Sequence, residues 1–508
     1  MNIDQAKQEV KNAVRIYLEK DETGRYEIPI ERQRPILLMG PPGIGKTAVM
    51  EQIAHELGIG LVSYTITHHT RQSAIGLPTI SEKEYGGQKY SVTEYTMSEI
   101  IGAVYEQIEK SGIKEGILFL DEINCVSETL APTMLQFLQY KTFGSHRLPE
   151  GYIIVTAGNP PQYNKSVRDF DIVTLDRVRQ INITEDFDSW KEYAYKAGVH
   201  GAIMAYLEIK KDNFYRVKTE STGRSFVTAR GWEDLSRAIK VSEKLGITVD
   251  ENLTAQYLQA KDISEDFAAY YDLYRKYNEL YKIPDILEGR YPEDISTIRS
   301  GSFDEKLSII GLLTDALMNE FRDYERQQAV QGLLFETIKK LAERAKKDPT
   351  AEISAAMEAR AMEDQIRDKL EAGLMSREQE KFSRLAAAAL ITADSEMEPA
   401  AKKDGTETVN ALKSWFMERE NKRSEAGAET GRHLSNALEF LEKTYGDPQS
   451  LSGSQEMVIF LTELSSAYHS LKFVRETGNE TYYKYNKLLL LGDRRQELKE
   501  EVLKALSF

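Results

Sequence analysis

The sequence predicts an α/β fold for its first part, a parallel sheet between two helical layers, followed by a region that is all helical. Two observations lead to this prediction. Up to about residue 190, short apolar runs such as ILFL and YIIV alternate with amphipathic helical patterns. Continuous apolar runs are typical of parallel strands buried on both faces, and their alternation with helices indicates a three-layer αβα sheet. Beyond residue 190 the strand patterns stop.

The elements follow one another in a regular order. Strand patterns cover residues 36–39, 61–67, 117–120 and 152–157, and helical patterns cover residues 1–20, 47–57, 95–108 and 128–140. One β-hairpin is predicted around Gly86 and Gly87, and a second around KTFGSHRLPEGY, just before residue 152. Two prolines in YKIPDILEGRYPEDIS indicate a joint. We therefore predict three domains, at residues 1–190, 191–282 and 283–508.

The composition restricts the class of protein. Acidic residues outnumber basic residues by 81 to 66, so the formal charge is −15, which argues against a broad nucleic-acid surface. A single cysteine excludes an internal disulfide framework and suits a reducing compartment. The first 20 residues form a charged amphipathic pattern rather than a signal peptide, and runs such as LAAAALI are too short to cross a bilayer. We expect a cytoplasmic protein without a membrane partner.

A phosphate-binding loop is predicted directly after the first strand pattern. The stretch GPPGIGKT satisfies G-x-x-x-x-G-K-[ST] and opens a helix, which is the context that this motif requires. Glycines let backbone N–H groups approach phosphate oxygens, and the helix directs its positive end to the same place. Lysine would neutralise the β- and γ-phosphates, and threonine would bind Mg²⁺. The predicted nucleotide-binding residues are Gly40, Pro41, Pro42, Gly43, Ile44, Gly45, Lys46, Thr47 and Ala48.

Polar residues follow two further strand patterns. In ILFLDEINC, Asp121 stands at the end of a buried strand, where it would hold Mg²⁺ directly or through a water. Glu122 comes next and would accept a proton from the attacking water, or orient that water. Asn159 stands at the exit of the strand in IIVTAGNPP. In a parallel sheet these exits lie on the edge that carries the phosphate loop, so Asn159 can bind both the γ-phosphate and the water.

Two arginines complete the predicted catalytic set. Arg177 lies in DIVTLDRVRQINI, after the Asn159 strand, and Arg230 lies in SFVTARGWEDL, near the start of a helix. Phosphoryl transfer spreads negative charge over the γ-oxygens, and guanidinium groups stabilise that charge. The catalytic residues are therefore predicted to be Glu122, Asn159, Arg177 and Arg230, with Thr47 and Asp121 as Mg²⁺ ligands.

These motifs resemble an AAA+ ATPase, and more narrowly its MoxR branch. The resemblance is carried by GPPGIGKT, LDEIN, GNPP, TLDRV and VTARGWEDL, and it covers roughly the first 280 residues. Where members of that branch usually have L-D-R-F, this chain has Val178 in place of the phenylalanine. Where they usually have S-P-R, this chain has Thr228 and Ala229 before the arginine. Arg179 and Arg168 are therefore alternatives to Arg177 as the arginine finger.

The resemblance implies a P-loop AAA+ sheet and an all-helical lid at 191–282. Beyond the resemblance, we predict that the all-helical extension at 283–508 binds a partner. It also implies a ring of identical subunits, usually a hexamer, with ATP at the subunit interfaces. MoxR-like proteins resemble chaperones that remodel or activate a partner, commonly together with a von Willebrand factor A domain protein. The two hairpins resemble inserts of the same branch.

Two other functions remain open at this point. A nucleic-acid-associated motor is one, because hairpins of this kind have DNA-contacting relatives, although the acidic charge argues against it. A slow ATPase that acts as a switch or scaffold is the other, and only a rate measurement separates it from a remodelling enzyme. Preference for adenine depends on the resemblance, since the chain contains no N-K-x-D motif.

Overall fold

The computed structural model describes residues 1–68, 70–163, 167, 170–220, 223–293, 295–348, 353–398, 404–446 and 454–487. The chain divides into two compact units, the first formed by residues 1–189 with 363–381 and the second by residues 190–362 with 382–508. The three-domain division therefore stays a prediction. No helix in the described ranges is both long and apolar enough to cross a membrane.

The first unit is built on a five-stranded parallel sheet with the strand order β2-β5-β8-β1-β9. Its strands and those of two hairpins are β1 (Ile36–Met39), β2 (Gly60–Thr65), β3 (Pro78–Tyr85), β4 (Gln88–Tyr95), β5 (Gly116–Asp121), β6 (Thr142–Phe143), β7 (His146–Arg147), β8 (Tyr152–Gly158) and β9 (Arg179–Asn182). The helices before residue 187 are α1 (Ile3–Leu18), α2 (Lys46–Leu57), α3 (Arg71–Ile75), α4 (Glu99–Ser111), α5 (Ala131–Tyr140) and α6 (Ile172–Leu175).

Alternating side chains of the strands build two separate cores. In β5, Ile117 and Phe119 pack with α1 and α2, whereas Leu118 and Leu120 pack with α4 and α5. Successive side chains of a strand point to opposite faces, so a strand covered on both sides needs apolar residues throughout. This confirms the predicted three-layer αβα architecture, and both predicted hairpins are present.

Some details of the first unit differ from the sequence prediction. The helical pattern at 95–108 begins later, at Glu99, because Tyr95 is the last residue of β4 and pairs with Pro78. Strand β9 was not predicted, because RQIN is short and polar, yet it pairs with β1 along its whole length.

The second unit is mostly helical. Its helices, together with those at the boundaries of the units, are α7 (Phe187–Ala197), α8 (Gly201–Ile209), α9 (Ala229–Leu245), α10 (Glu251–Tyr257), α11 (Lys261–Tyr281), α12 (Ile283–Leu287), α13 (Ile295–Ser300), α14 (Phe303–Lys347), α15 (Ala355–Glu371), α16 (Arg377–Glu396), α17 (Gly405–Tyr445), α18 (Gln455–Ser466) and α19 (Tyr468–Thr477). The expectation that strands stop at residue 190 is wrong, because β10 (Arg216–Glu220) pairs antiparallel with β11 (Gly223–Val227).

Candidate active site

The phosphate loop runs from the end of β1 into the first turn of α2. Gly43 and Gly45 have φ angles of +76° and +96°, a region that residues with a Cβ rarely adopt. Gly40 approaches the chain closely, since a Cβ there would lie 2.9 Å from the carbonyl oxygen of Ile183. Helix α2 begins at Lys46, so its unsatisfied N–H groups and positive dipole end face the loop. Pro41 is buried, Pro42, Gly43 and Ile44 are partly buried, and Thr47 and Ala48 are exposed.

Lys46 connects the loop to the neighbouring strand β8. Its ammonium group donates hydrogen bonds to the carbonyl oxygens of Gly40 and Pro41, each at 2.8 Å. It also donates to Oδ1 of Asn159 at 2.9 Å. Strand β8 lies beside β1 in the sheet, and Asn159 follows the end of β8. The structure therefore brings together two predicted site residues that are 113 positions apart in the sequence.

Thr47 and Asp121 form the predicted pair of Mg²⁺ ligands. The hydroxyl of Thr47 donates to Oδ2 of Asp121 at 2.9 Å, and Asp121 is the last residue of β5. A hydroxyl and a carboxylate are hard oxygen ligands of the kind that Mg²⁺ prefers, and they already share one location. The residues present therefore fit a magnesium ion.

Glu122 has an unusual backbone conformation. Its φ and ψ angles are 57° and 36°, in the left-handed region, and its N–H donates to Oδ1 of Asp121 at 2.9 Å. The carboxylate accepts a hydrogen bond from the hydroxyl of Thr67 at 3.0 Å, through Oε2. Strained backbone of this kind is concentrated at functional sites. The sequence analysis did not predict a role for Thr67. The only sign of one was its hydroxyl group, two residues beyond the end of β2, which pairs with β5.

Asn124 is a second residue that the sequence analysis missed. Its side chain is 3% exposed, and Nδ2 donates to the carbonyl oxygen of Asn159 at 2.8 Å. A Cβ on Gly158 would lie 2.6 Å from Oδ1 of Asn124, so only glycine fits at the end of β8. Asn124 therefore holds the backbone at Asn159. The residue lies within the LDEIN stretch, but nothing in the sequence indicated its partner.

The predicted arginines have different surroundings. Arg177 is exposed in the turn between α6 and β9. Hydrogen bonds from Thr174, with a contribution from the charge of Arg177, lower the pKa of Asp171. Arg179 donates from Nη2 to Oε2 of Glu9 at 2.6 Å, in an ion pair that ties β9 to α1. The guanidinium group of Arg179 is therefore engaged within the fold.

Arg168 and Arg230 are the other two arginines that the sequence predicts as candidates. Arg168 lies outside the described residues. Arg230 belongs to the second unit, where it is the second residue of α9 and is exposed. The roles of Arg177 and Arg230 therefore stay predictions.

The chain is similar to known proteins in three comparisons. Residues 36–175 match the family model described as "ATPase family associated with various cellular activities (AAA)". The chain is 25% identical over 259 residues to the large subunit of replication factor C from Methanopyrus kandleri. That match covers 48% of this chain and 46% of the relative, so the chain spans about half of the relative's length. Among solved structures, NtrX from Brucella abortus in complex with ADP is similar, with 18% identity and a TM-score of 0.24 over 40% of this chain and 44% of NtrX.

Proposed function

We propose that this chain, whose residues 36–175 form an AAA ATPase domain, hydrolyses ATP with Mg²⁺ at the interfaces of a ring of identical subunits and uses that cycle to remodel a partner protein. The observation that carries this proposal is the convergence of Lys46, Thr47, Asp121 and Asn159 through hydrogen bonds of 2.8–2.9 Å at one edge of the sheet. Glu122 joins them through its N–H bond to Asp121.

Lys46 would bind the phosphates. Lys46 is buried, and its ammonium group donates to neutral oxygens of the loop and of Asn159. Anionic phosphate oxygens form stronger hydrogen bonds with a cation than neutral carbonyl oxygens do. Binding of the β- and γ-phosphates would therefore replace the contacts with the carbonyl oxygens of Gly40 and Pro41. The hydroxyl of Thr47 and the carboxylate of Asp121 would hold Mg²⁺, which would neutralise phosphate charge when bound.

Glu122 would prepare the water for attack. The hydroxyl of Thr67 holds Oε2, which leaves Oε1 to accept the proton of a water molecule. Asn159 accepts from Lys46 through Oδ1, so its Nδ2 group can donate to a phosphate oxygen. Asn124 fixes the backbone of Asn159 and thereby the direction of that amide. This arrangement separates the proton acceptor from the groups that bind phosphate.

The first experiment replaces Glu122 with glutamine. Glu122→Gln is expected to bind a fluorescent ATP analogue as the native chain does but to lose almost all steady-state ATP hydrolysis, because the amide cannot accept the proton. Glu109→Gln is a matched control, since Glu109 is exposed in α4 of the same unit. Normal turnover by Glu122→Gln would remove this residue from the mechanism.

Arg177 would act across a subunit interface. Its exposed position after α6 allows contact with a neighbouring copy, and an arginine finger raises phosphoryl-transfer rates by about 10³–10⁵-fold. Arg177→Ala is expected to keep ATP binding and to lose assembly-dependent activity. Mixing with Lys46→Ala subunits should restore part of that activity, because those subunits supply Arg177 to intact phosphate loops. Absence of rescue at every mixing ratio would contradict the interfacial geometry.

The remodelling role depends on the resemblance to the MoxR branch. A partner with a von Willebrand factor A domain and a cytoplasmic location are parts of the same proposal. Glu122→Gln should hold the ATP-bound form, so co-purification with this variant should enrich the partner relative to the native chain. Equal recovery of every protein with both forms would argue against a nucleotide-dependent partner.

A nucleic-acid-associated motor is the second candidate, and the similarity to a replication factor C subunit favours it. The net charge of −15 argues against it, and Lys83 of the first hairpin is paired with Glu94. DNA or RNA that stimulates ATP hydrolysis, with an effect that weakens as salt rises, would support this candidate. An unchanged rate at low salt would favour the protein-remodelling function.

A further inference from the structure

Three side chains of the types that ligate metals lie close together in the second unit, far along the sequence from the motifs above. Glu288 follows the last residue of α12, and Glu429 and His433 lie one turn apart on α17. One ligand atom from each lies within 4.8 Å of the other two. Residues four positions apart on a helix share a face, so Glu429 and His433 present their side chains to the same place.

The backbone holds Glu288 against α17. Nδ2 of Asn436 donates to the carbonyl oxygen of Leu287 at 2.6 Å, and the hydroxyl of Tyr291 donates to the carbonyl oxygen of Asn436 at 3.1 Å. These bonds lie on both sides of Glu288 and one turn from His433. Sites carried by ordered backbone lose less entropy when they bind a ligand. The three side chains therefore lie on elements that are already fixed to each other.

The imidazole of His433 is oriented toward the other two residues. Its Nδ1 lies 2.9 Å and 3.0 Å from the carboxylate oxygens of Glu320 on α14. Its Nε2 is buried and has no hydrogen-bond partner among the residues that the structure describes. Oε1 of Glu288 lies 3.6 Å from Nε2, which is too long for a hydrogen bond. In many metal sites a carboxylate accepts the hydrogen bond from Nδ1–H of a histidine, and Nε2 of the same ring binds the metal. His433 has this arrangement, because its Nε2 faces the other potential ligand atoms.

The charges around His433 are unbalanced. Glu288, Glu320 and Glu429 surround a single imidazole, and in the described ranges no lysine or arginine lies within ion-pair distance of these carboxylates. Arg290 follows closely in the chain but pairs with Asp285 at 2.7 Å. Even with His433 protonated, the group has two negative charges in excess. A divalent cation would balance them.

We propose that Glu288, Glu429 and His433 bind a divalent transition-metal ion, zinc above all, with Glu320 as the hydrogen-bond partner that orients the histidine. One imidazole and two carboxylates match zinc, whereas Mg²⁺ and Ca²⁺ take oxygen ligands. Zinc bond lengths of about 2.0–2.2 Å separate tetrahedral ligand atoms by about 3.3–3.6 Å. The 3.6 Å between Nε2 of His433 and Oε1 of Glu288 agrees with that separation, and Glu288 and Glu429 are both exposed. The metal would join the end of α12 to α17.

The test uses the full chain, without nucleotide, after removal of metals with a chelator. Titration with Zn²⁺ is expected to show one binding site per chain, and substitution of these residues should lower its affinity for zinc. His433→Ala and Glu429→Gln should each weaken binding by about 100-fold, and Glu320→Gln by about 10–100-fold, because the orienting partner is lost. Glu425→Gln is the control, since Glu425 is exposed one turn earlier on α17. Equal zinc affinity of the native chain and His433→Ala would overturn the proposal.

A second measurement separates metal binding from folding. Co²⁺ in place of zinc should produce visible d–d absorption whose intensity indicates a four-coordinate site, and His433→Ala should lose that absorption. Glu429→Gln replaces an exposed side chain with one of equal shape, so its helical circular dichroism should remain native while its zinc affinity falls. Native zinc affinity in folded Glu429→Gln would count against the site as assigned. None of these readouts depends on ATP hydrolysis.

Discussion

The left-handed backbone at Glu122 leads to a prediction in which two substitutions are compared at one position. Alanine and glycine both remove the carboxylate, but only alanine keeps a Cβ at φ 57° and ψ 36°. The left-handed conformation costs a residue with a Cβ about 1–2 kcal/mol. Glycine loses about 0.5–1 kcal/mol more conformational entropy on folding. The difference leaves Glu122→Gly more stable than Glu122→Ala by about 0.5–1 kcal/mol.

At Glu109 the order of stability should be reversed, with the alanine variant more stable than the glycine variant. Glu109 is exposed within α4, so alanine favours the helix and glycine costs about 1 kcal/mol. Both positions belong to the first unit. The control therefore separates the effect of backbone conformation from the general effect of glycine.

Hydrogen exchange measured by mass spectrometry is the appropriate assay. The tryptophans, Trp190, Trp232 and Trp415, all lie in the second unit, so their fluorescence does not report on β5. Amides of β5 should exchange about 2–5-fold more slowly in Glu122→Gly than in Glu122→Ala, which corresponds to the 0.5–1 kcal/mol difference. Faster exchange in Glu122→Gly, as expected for the Glu109 pair, would refute a left-handed backbone at Glu122.

Three further predictions concern the first unit. Burial lowers the pKa of Lys141 to about 8. Between pH 8 and 10.5 Lys141 is therefore deprotonated in the native state and protonated in the unfolded chain. The free energy of unfolding should rise by about 3 kcal/mol as the pH increases through this range. Lys141→Met should flatten that rise in urea unfolding at pH 7.5 and 10; an unchanged slope would contradict it. Gly158→Ala should displace Asn124 and lower ATP turnover, because the added Cβ would lie 2.6 Å from Oδ1, and native turnover would show that the contact is unimportant. Asp121→Asn should raise the Mg²⁺ concentration needed for half-maximal hydrolysis by at least about 10-fold, because a charged ligand is lost.

Local patterns predicted the part of the site that is contiguous in sequence. The phosphate loop occupies residues 40–47 with its own strand and helix on either side, so its residue types report its conformation directly. Asp121 and Asn159 were predicted because each follows a buried apolar run, and parallel strands end at one edge of a sheet. Both hairpins were predicted from local patterns of the same kind.

Contacts between distant segments could not be predicted. The hydroxyl of Thr67 reaches Glu122 because β2 pairs with β5, and Asn124 reaches Asn159 because β5 lies beside β8. The positions of these residues in the sequence do not indicate which strands lie next to each other in the sheet. The ion pair between Arg179 and Glu9 likewise depends on the unpredicted strand β9.

In the second unit the difference between local patterns and contacts between distant segments is clearer. Its helical patterns were readable from the sequence, but a Glu-x-x-x-His pair at 429 and 433 is ordinary on a charged helix. Only the packing of α12, α14 and α17 brings Glu288 and Glu320 to that histidine. By itself, the sequence determined the αβα fold and the phosphate loop, because hydrophobic periodicity and glycine conformation act over a few adjacent residues. The tertiary structure alone decided which distant polar groups meet, because strand order and helix packing result from burial over the whole chain.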